Sequence, residues 1–232
     1  DSAYSSNVAL YQLDSDGGTT NNVPDTVGNH NGTATNVTYS TGKYGNAANF
    51  SGTNYITVTG ITSTSTFSYS LWVKPTNASS SGFKGVFGKQ NSEGQLFTDS
   101  GALKIWTNTT QTFTGSPTLS DNVWSHIVLS VSNGTGTIYV NGINKGTATG
   151  ISLPSTLYMG TASSQPGVSQ YGYEGLIDQV RIYDKALSSD EVEILYNETT
   201  DTVSDTNIFN EGSGIALYSL DYDASDAGGN YD

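Results

Sequence analysis

The chain contains no cysteine, which excludes disulfide bridges, thiolate metal ligands and cysteine nucleophiles. Positive charge is also scarce: 8 Lys and Arg residues stand against 21 Asp and Glu residues, and the formal net charge is −13. Because proteins hold nucleic acid phosphates through Lys and Arg, this balance excludes nucleic acid as a partner. No apolar run approaches the roughly 20 residues that a membrane-spanning helix needs, so we expect no membrane insertion.

Glycine is abundant, with 27 residues, and it is accompanied by many Thr, Ser and Asn residues. This composition is typical of short strands joined by tight turns. Apolar residues alternate with polar ones in many segments, and residues 67–73 (FSYSLWV) show the pattern clearly. Asn141-Gly142 lies between two such segments and indicates a tight hairpin. About a dozen such segments predict an all-β fold, a two-sheet antiparallel β-sandwich with jelly-roll connections.

One short C-terminal helix is predicted over residues 187–196. Ser188 is a candidate N-cap, and Glu191 follows three residues later, which is the spacing of a capping box. Asp190 and Glu191 suit the positive end of the helix dipole. The helix would therefore close a domain that is otherwise built of strands.

The end of the chain repeats its beginning. Residues 215–223 read IALYSLDYD, and residues 8–16 read VALYQLDSD. A pattern that recurs after one domain's length indicates a tandem array. Residues 199–213 show no periodicity and are interpreted as a linker. We therefore predict one domain over 1–198, a linker over 199–213, and the first strand and loop of a second, truncated repeat over 214–232.

Five motifs follow one another in the order and spacing of a known family. They are 49–58 (NFSGTNYITV), 67–75 (FSYSLWVKP), 124–128 (WSHIV), 137–142 (TIYVNG) and 175–188 (GLIDQVRIYDKALS). Over residues 8–198 the chain resembles the laminin-G-like, concanavalin A-like lectin jelly-roll domains of tandem-repeat surface and virion proteins. The resemblance implies binding of glycans or proteins, a structural calcium ion and frequent occurrence in tandem.

Asp178 interrupts the apolar run of the last motif, where a carboxylate is costly unless it is paired or bound to a metal. The resemblance implies that this Asp is a calcium ligand near the first strand. Asp14, Asp16 and Asp25 are its natural companions in an oxygen-rich site for a hard cation. The alternative is a solvated acidic loop, with Asp178 hydrogen-bonded to a lysine or to the backbone.

Catalysis has few candidate residues. Glycoside hydrolases on such sandwiches carry two carboxylates close together on a strand, and no predicted strand of this chain carries an acidic run of that kind. His126 lies on a core strand and is expected to be structural, while the position of His30 is taken by Tyr231 in the repeat. No Gly-Xaa-Ser-Xaa-Gly elbow is present. The sequence predicts that the protein is not an enzyme.

Aromatic side chains are the remaining candidates, because sugars stack on aromatic faces while polar groups bond their hydroxyls. Trp72 and Trp124 belong to core motifs and are assigned to packing. Packing is also the alternative for every candidate ligand-binding residue. These candidates are Trp106 on a strand and Tyr44, Tyr171 and Tyr173 in glycine-rich loops.

These observations predict a non-catalytic adhesion module that recognises glycans or surface polymers. We expect it to be stabilised by calcium, to belong to a tandem array, and to work outside the cell, on a cell surface or on a virion. The alternative is a structural or decoration module of a virion, fibre or surface layer that contacts copies of itself.

Overall fold

The computed structural model describes residues 7–15, 21–26, 29–89 and 94–198. Within these ranges the chain forms sixteen strands, a 3-10 turn at Ser169–Tyr171 and an α-helix. The predicted all-β fold with one short helix is confirmed, whereas the predicted linker 199–213 and second repeat 214–232 lie outside the described residues. The strands are β1 (Asn7–Tyr11), β2 (Asn22–Val23), β3 (Gly32–Thr35), β4 (Thr38–Thr41), β5 (Asn46–Ser51), β6 (Tyr55–Thr59), β7 (Phe67–Pro75), β8 (Lys84–Gly88), β9 (Gln95–Asp99), β10 (Ala102–Trp106), β11 (Thr110–Thr112), β12 (Ser125–Ser132), β13 (Thr135–Val140), β14 (Ile143–Thr149), β15 (Thr156–Met159) and β16 (Glu174–Tyr183).

The first sheet has the strand order β14-β13-β12-β7-β16-β5-β4, and β1 pairs with the later residues of β16. Its ladders are antiparallel. In β7, Phe67, Tyr69 and Leu71 are fully buried in the core, as their alternation predicts. Ser70 and Trp72 therefore lie on the outer face of this sheet. The helix covers this outer face and packs against Trp72.

The second sheet has the order β11-β10-β9-β8-β15-β6-β3-β2. Leu103 and Ile105 of β10 and Leu157 and Met159 of β15 are buried in the core between the two sheets. Since side chains alternate along a strand, Lys104 and Trp106 of β10 and Tyr158 of β15 point to the outer face. The candidate functional site lies on this outer face.

The hairpin predicted at Asn141-Gly142 joins β13 to β14. Asn141 and Gly142 both have positive φ, 53° and 77°, which is the backbone that this residue pair accepts in a two-residue turn. The Asn141 side chain also accepts a hydrogen bond from the backbone N–H of His126 at 2.8 Å. The turn is thereby fixed against the strand that carries His126.

The helix α1 (Ser189–Asn197) covers the outer face of the first sheet. Val192 and Leu195 are buried, and Tyr196 stacks on Trp72 with ring centroids 5.8 Å apart. The segment before the helix is held by Ser68, whose Oγ accepts the Leu187 N–H at 2.9 Å. No helix in the described part of the chain is long and apolar enough to cross a membrane.

The predicted capping box is confirmed: Ser188 Oγ accepts the Glu191 N–H, and Glu191 Oε2 accepts the Ser188 N–H. We expect Ser188→Ala to lower the free energy of unfolding by about 1 kcal/mol, because it leaves a first-turn N–H without its acceptor. Urea denaturation measures the loss. Ser189→Ala, one residue on, is the matched control and should change stability by less than about 0.5 kcal/mol. Equal effects of the two variants would contradict the assignment.

Candidate functional site

Three aromatic rings gather on the outer face of the second sheet. Phe83 stacks on Phe97 with ring centroids 4.0 Å apart and an interplanar angle of 12°, and it meets Trp106 edge-on at 6.3 Å. Phe97 is buried beneath Phe83, whereas Phe83 and Trp106 remain partly exposed. We call these three residues the aromatic patch. Phe97 and Trp106 lie on strands, so the position of the aromatic patch is fixed by the sheet.

An ion pair adjoins the aromatic patch. Lys104, which pairs with Phe97 in the ladder, places its Nζ 2.8 Å from Oδ2 of Asp99. Oδ1 of Asp99 accepts the Gly82 N–H at 2.9 Å. These bonds, the one from Lys104 first, hold the pKa of the Asp99 carboxyl below its ordinary value. An ammonium group and a carboxylate beside aromatic rings are the polar groups that can orient sugar hydroxyls.

The loop 161–172 lies against the same face. The buried Gln95 side chain donates to the Thr161 carbonyl at 2.6 Å and accepts the Ser163 N–H at 3.1 Å. Lys84 Nζ donates to the Gln170 carbonyl at 2.8 Å. A Cβ added at Gly85 would lie 2.3 Å from the Thr161 carbonyl oxygen, so only glycine lets the loop approach here. The loop is therefore a fixed wall beside the aromatic patch.

The sequence predicts Trp106 as a ligand-binding residue and does not predict the other members of the aromatic patch. Trp106 lies on the outer face as a ligand-binding role requires, and Tyr171 is partly exposed at the end of the 3-10 turn, where the loop contacts β8. Phe97 gives no clear signal, because its neighbour Leu96 is also apolar and alternation cannot tell which of the two faces the core. The ion pair had a signal, since Ser100 and Gly101, both with positive φ, form a two-residue turn that brings β9 and β10 together.

Two of the predicted ligand-binding tyrosines are placed elsewhere. Tyr173 is 0% exposed, packs edge-on against Phe50 and donates its hydroxyl to the Leu176 carbonyl, so it has the packing role that was the alternative to ligand binding. Its chain is drawn inward because Gly172 lies so close to Gly52 that a Cβ there would be 1.8 Å from the Gly52 carbonyl oxygen. The four predicted aromatics therefore do not form one site.

Tyr44 is associated with the first sheet instead. Its ring meets Trp72 edge-on at 6.2 Å, and its hydroxyl donates to the Glu198 carbonyl. Burial, with a smaller contribution from the Glu198 charge, raises the pKa of Tyr44. These contacts give Tyr44 a packing role on the side of the molecule that the helix covers.

Asp178 and Asp14 come together in the first sheet where β16 changes from pairing with β5 to pairing with β1. Strand β1 pairs antiparallel with β16, with Tyr11 opposite Val180, so the chain leaving β1 runs toward Asp178. Oδ2 of Asp178 accepts the N–H groups of Lys43 and Tyr44 at 2.8 and 3.0 Å. Oδ1 is buried and, within the described ranges, has no hydrogen-bond partner. A buried carboxylate oxygen without a partner, beside a second carboxylate, is a feature that a bound cation would explain.

The electrostatics of Asp178 agree with this geometry. Burial raises its pKa to about 7, the backbone N–H donors oppose the rise, and the negative charge of Asp14 adds to it. Asp14 is itself held by the 42–46 turn, where Asn46 N–H donates to its Oδ1 at 2.6 Å. The two carboxylates are thus positioned by the same turn and are close enough to repel each other.

Asp25 does not join this pair, contrary to the predicted metal set. Its Oδ1 accepts the Leu10 N–H at 3.0 Å, and its Oδ2 accepts the His30 N–H at 3.1 Å and lies 3.5 Å from His30 Nδ1. It therefore caps the edge of β1. In the described ranges no group of three His, Asp or Glu side chains is placed to hold a metal ion, and Asp16 lies outside those ranges.

His126 lies under the helix, on the outer face of the first sheet. It is 1% exposed, its Nε2 lies 2.8 Å from Ser70 Oγ, and its ring stacks on Tyr196 with centroids 6.1 Å apart. Burial, with the charges of Arg181 and Lys43, lowers its pKa to about 3. The imidazole is therefore neutral at ordinary pH and has no path to a substrate, which agrees with the structural role expected from the sequence.

Comparison with solved structures gives similar folds. The chain is 25% identical, with a TM-score of 0.65, to domain 4 of AbnA, an extracellular GH43 arabinanase from Geobacillus stearothermophilus, solved in complex with arabinotriose; the match covers 82% of this chain and 98% of that domain. The binding domain of Paraclostridial Mosquitocidal Protein 1 matches at 19% identity and a TM-score of 0.67, over 84% of this chain and 52% of that one.

The ligand binding domain of botulinum neurotoxin serotype D, in complex with N-acetylneuraminic acid, matches at 22% identity and a TM-score of 0.63, over 84% of this chain and 51% of that one. The present chain thus spans about half the length of the two toxin-derived structures. No curated protein matches it. The model of the concanavalin A-like lectin/glucanase superfamily matches residues 50–193, more than half of the chain, and the chain therefore belongs to this superfamily.

Proposed function

We propose that the protein is a non-catalytic glycan-binding module whose binding surface is the aromatic patch on the outer face of the second sheet. The carrying observation is the stack of Phe83 on Phe97 with Trp106 beside it, next to the Lys104–Asp99 ion pair. Rings that contact sugar faces and charged groups that bond hydroxyls are the two components of a glycan site. A ligand that approaches this face of the sheet would contact the partly exposed rings of Phe83 and Trp106 and the neighbouring ion pair.

The similar structures support a glycan as the ligand. One of them was solved in complex with arabinotriose and another in complex with N-acetylneuraminic acid. Cleavage of a glycan needs two carboxylates on either side of one bond. Among the described residues, Asp99 is the carboxylate placed at the aromatic patch, and it is paired with Lys104. We therefore propose binding without cleavage, in an extracellular, cell-surface or virion protein where repeated modules would add avidity.

We also propose a structural calcium ion at Asp14 and Asp178. Carboxylate oxygens suit calcium, and Oδ1 of Asp178 is a buried carboxylate oxygen that has no hydrogen-bond partner among the described residues. The backbone donors of the 42–46 turn would orient both carboxylates, while the ion would neutralise their mutual repulsion. The ion would act on stability, because β1, β16 and this turn meet at the site.

Trp106→Ala should weaken glycan binding by at least about tenfold, because it removes ring surface from the aromatic patch. A glycan array followed by calorimetry, with calcium and with chelator, measures the loss. Trp124→Ala is the matched control, since Trp124 is also partly exposed but precedes β12 in the first sheet. It should bind like the wild type.

Two results would contradict the proposal. Equal affinities of the wild type and Trp106→Ala would show that the ligand binds elsewhere. Absence of binding to every glycan, together with concentration-dependent association in light scattering, would favour the structural module that contacts copies of itself.

A further inference from the structure

Ladder register aligns two aromatic side chains in one row on the outer face of the second sheet. Trp106 pairs with Gln95, Gln95 pairs with Gly88, and Gly88 pairs with Tyr158. Tyr158 points outward because its neighbours in β15 are buried in the core. Three strand spacings separate Trp106 from Tyr158, which is about 14 Å at the usual distance between neighbouring strands.

A second tyrosine, Tyr55, lies beside Tyr158 on the same face. The Tyr158 ring lies 6.5 Å from that of Tyr55, which occupies the outer face of β6, and both rings are partly exposed. Tyr55 is two residues from Thr57, the ladder partner of Tyr158, so the two rings are diagonal neighbours. They form a second aromatic surface that the core packing does not require.

Between the two surfaces the row offers no further ring. Gly88 has no side chain, and Gln95 is buried with its amide held by the backbone of Thr161 and Ser163. The part of the loop that follows is exposed and polar at Ser164 and Gln165. Because the loop 161–172 covers Gln95, a ligand that reaches both aromatic surfaces would pass over this loop and contact its polar outer residues.

We propose that Tyr158 and Tyr55 form a second subsite of the glycan site, so that the ligand is a linear oligosaccharide spanning from Trp106 to Tyr158. This inference rests on the proposed function. One sugar ring can cover only one of the two surfaces, because they lie about 14 Å apart. Joining two weak contacts in one ligand multiplies affinity, so binding should increase with the number of sugar units until both surfaces are reached.

The test uses size ladders, from the monosaccharide to the octasaccharide, of linear arabinan, xylan, cellulose, mannan and chitin, with the full chain in calorimetry. We expect affinity in at least one ladder to rise by about tenfold or more between the short and the long members. In that ladder Tyr158→Ala should abolish the rise, whereas the control Trp124→Ala should keep it. Trp106→Ala should weaken every member.

Tyr158→Phe, which keeps the ring, should preserve most of the rise, and thermal melts of each variant verify folding. An affinity that does not depend on length, or a rise that survives in folded Tyr158→Ala, overturns the second subsite and leaves the proposed function standing. If Tyr158→Ala does not fold, Tyr55→Ala takes its place with the same expected loss. Absence of binding to every ladder overturns the proposed function and the subsite together.

Discussion

In chelator at about pH 8, Asp178→Asn should be more stable than the wild type, by up to about 4 kcal/mol, and calcium should remove or reverse the difference. Burial raises the pKa of Asp178 from 3.8 to about 7 in the folded protein. The folded state thus holds the proton more tightly than the unfolded state. This contribution to stability is complete below about pH 4 and is lost as the pH rises through 7.

Asparagine keeps an oxygen that can accept the N–H groups of Lys43 and Tyr44, but it carries no charge to bury. A divalent ion acts in the opposite sense, because it favours the ionised carboxylate and binds only the folded state. Calcium should therefore stabilise the wild type at about pH 8 and leave Asp178→Asn unchanged. Urea denaturation of both proteins, with calcium and with chelator, measures the four free energies of unfolding.

Asp14→Asn is the companion variant. It removes the neighbouring charge that raises the pKa of Asp178, so in chelator it should also stabilise the protein, by less than Asp178→Asn does. Calcium should stabilise it less than the wild type, since one of the two carboxylates is gone. If calcium shifts the wild type and both variants equally, the ion binds elsewhere and the two carboxylates are not its ligands.

The parts of the fold that were predictable depend on local chemistry. Alternation placed Tyr69 and Leu71 in the core, Asn141-Gly142 supplied the backbone of a tight turn, and Ser188 with Glu191 began the helix. In each case the residues that carry the signal are close in sequence, so the local structure can be predicted without knowledge of tertiary contacts. The five ordered motifs also identified the superfamily correctly.

The parts that failed depend on long-range contacts. The sequence places Tyr173 in a glycine-rich loop as a candidate ligand-binding residue, but the approach of Gly172 to Gly52, 120 positions earlier in the numbering, buries it. Asp25 was grouped with other carboxylates, but the edge of β1 needed an acceptor for the Leu10 N–H. For the candidate site on the second sheet, the sequence predicts Trp106, which lies in a clear alternation, and gives no such signal for Phe97.

His126→Gln should become more stable relative to the wild type as the pH falls from about 6.5 to about 3, by roughly 5 kcal/mol over the whole range. Burial lowers the pKa of His126 from 6.5 to about 3 in the folded protein. In this pH range the imidazole is therefore protonated in the unfolded chain and neutral in the folded one. The wild type therefore loses stability as acid is added. Glutamine has an amide that can still bond Ser70, and it does not titrate.

Above about pH 7 the same variant should be less stable than the wild type, because it loses the ring that packs against both Trp72 and Tyr196. Denaturation in urea at a series of pH values, with chelator throughout, gives the difference between the two proteins. Using the difference cancels the titration of the other carboxylates. A difference that does not depend on pH would contradict the burial of a neutral imidazole.

His126 and Asp178 change the pH dependence of stability in opposite directions, and both residues are ladder partners of Trp72. Between about pH 4 and 6.5 His126 makes stability rise with pH and Asp178 makes it fall, each by about 1.4 kcal/mol per pH unit. In the wild type the two contributions largely cancel. Each single variant should uncover the slope of the other group, and the double variant should resemble the wild type in this range. A double variant that keeps either slope would show that a different buried group is titrating on this face of the sheet.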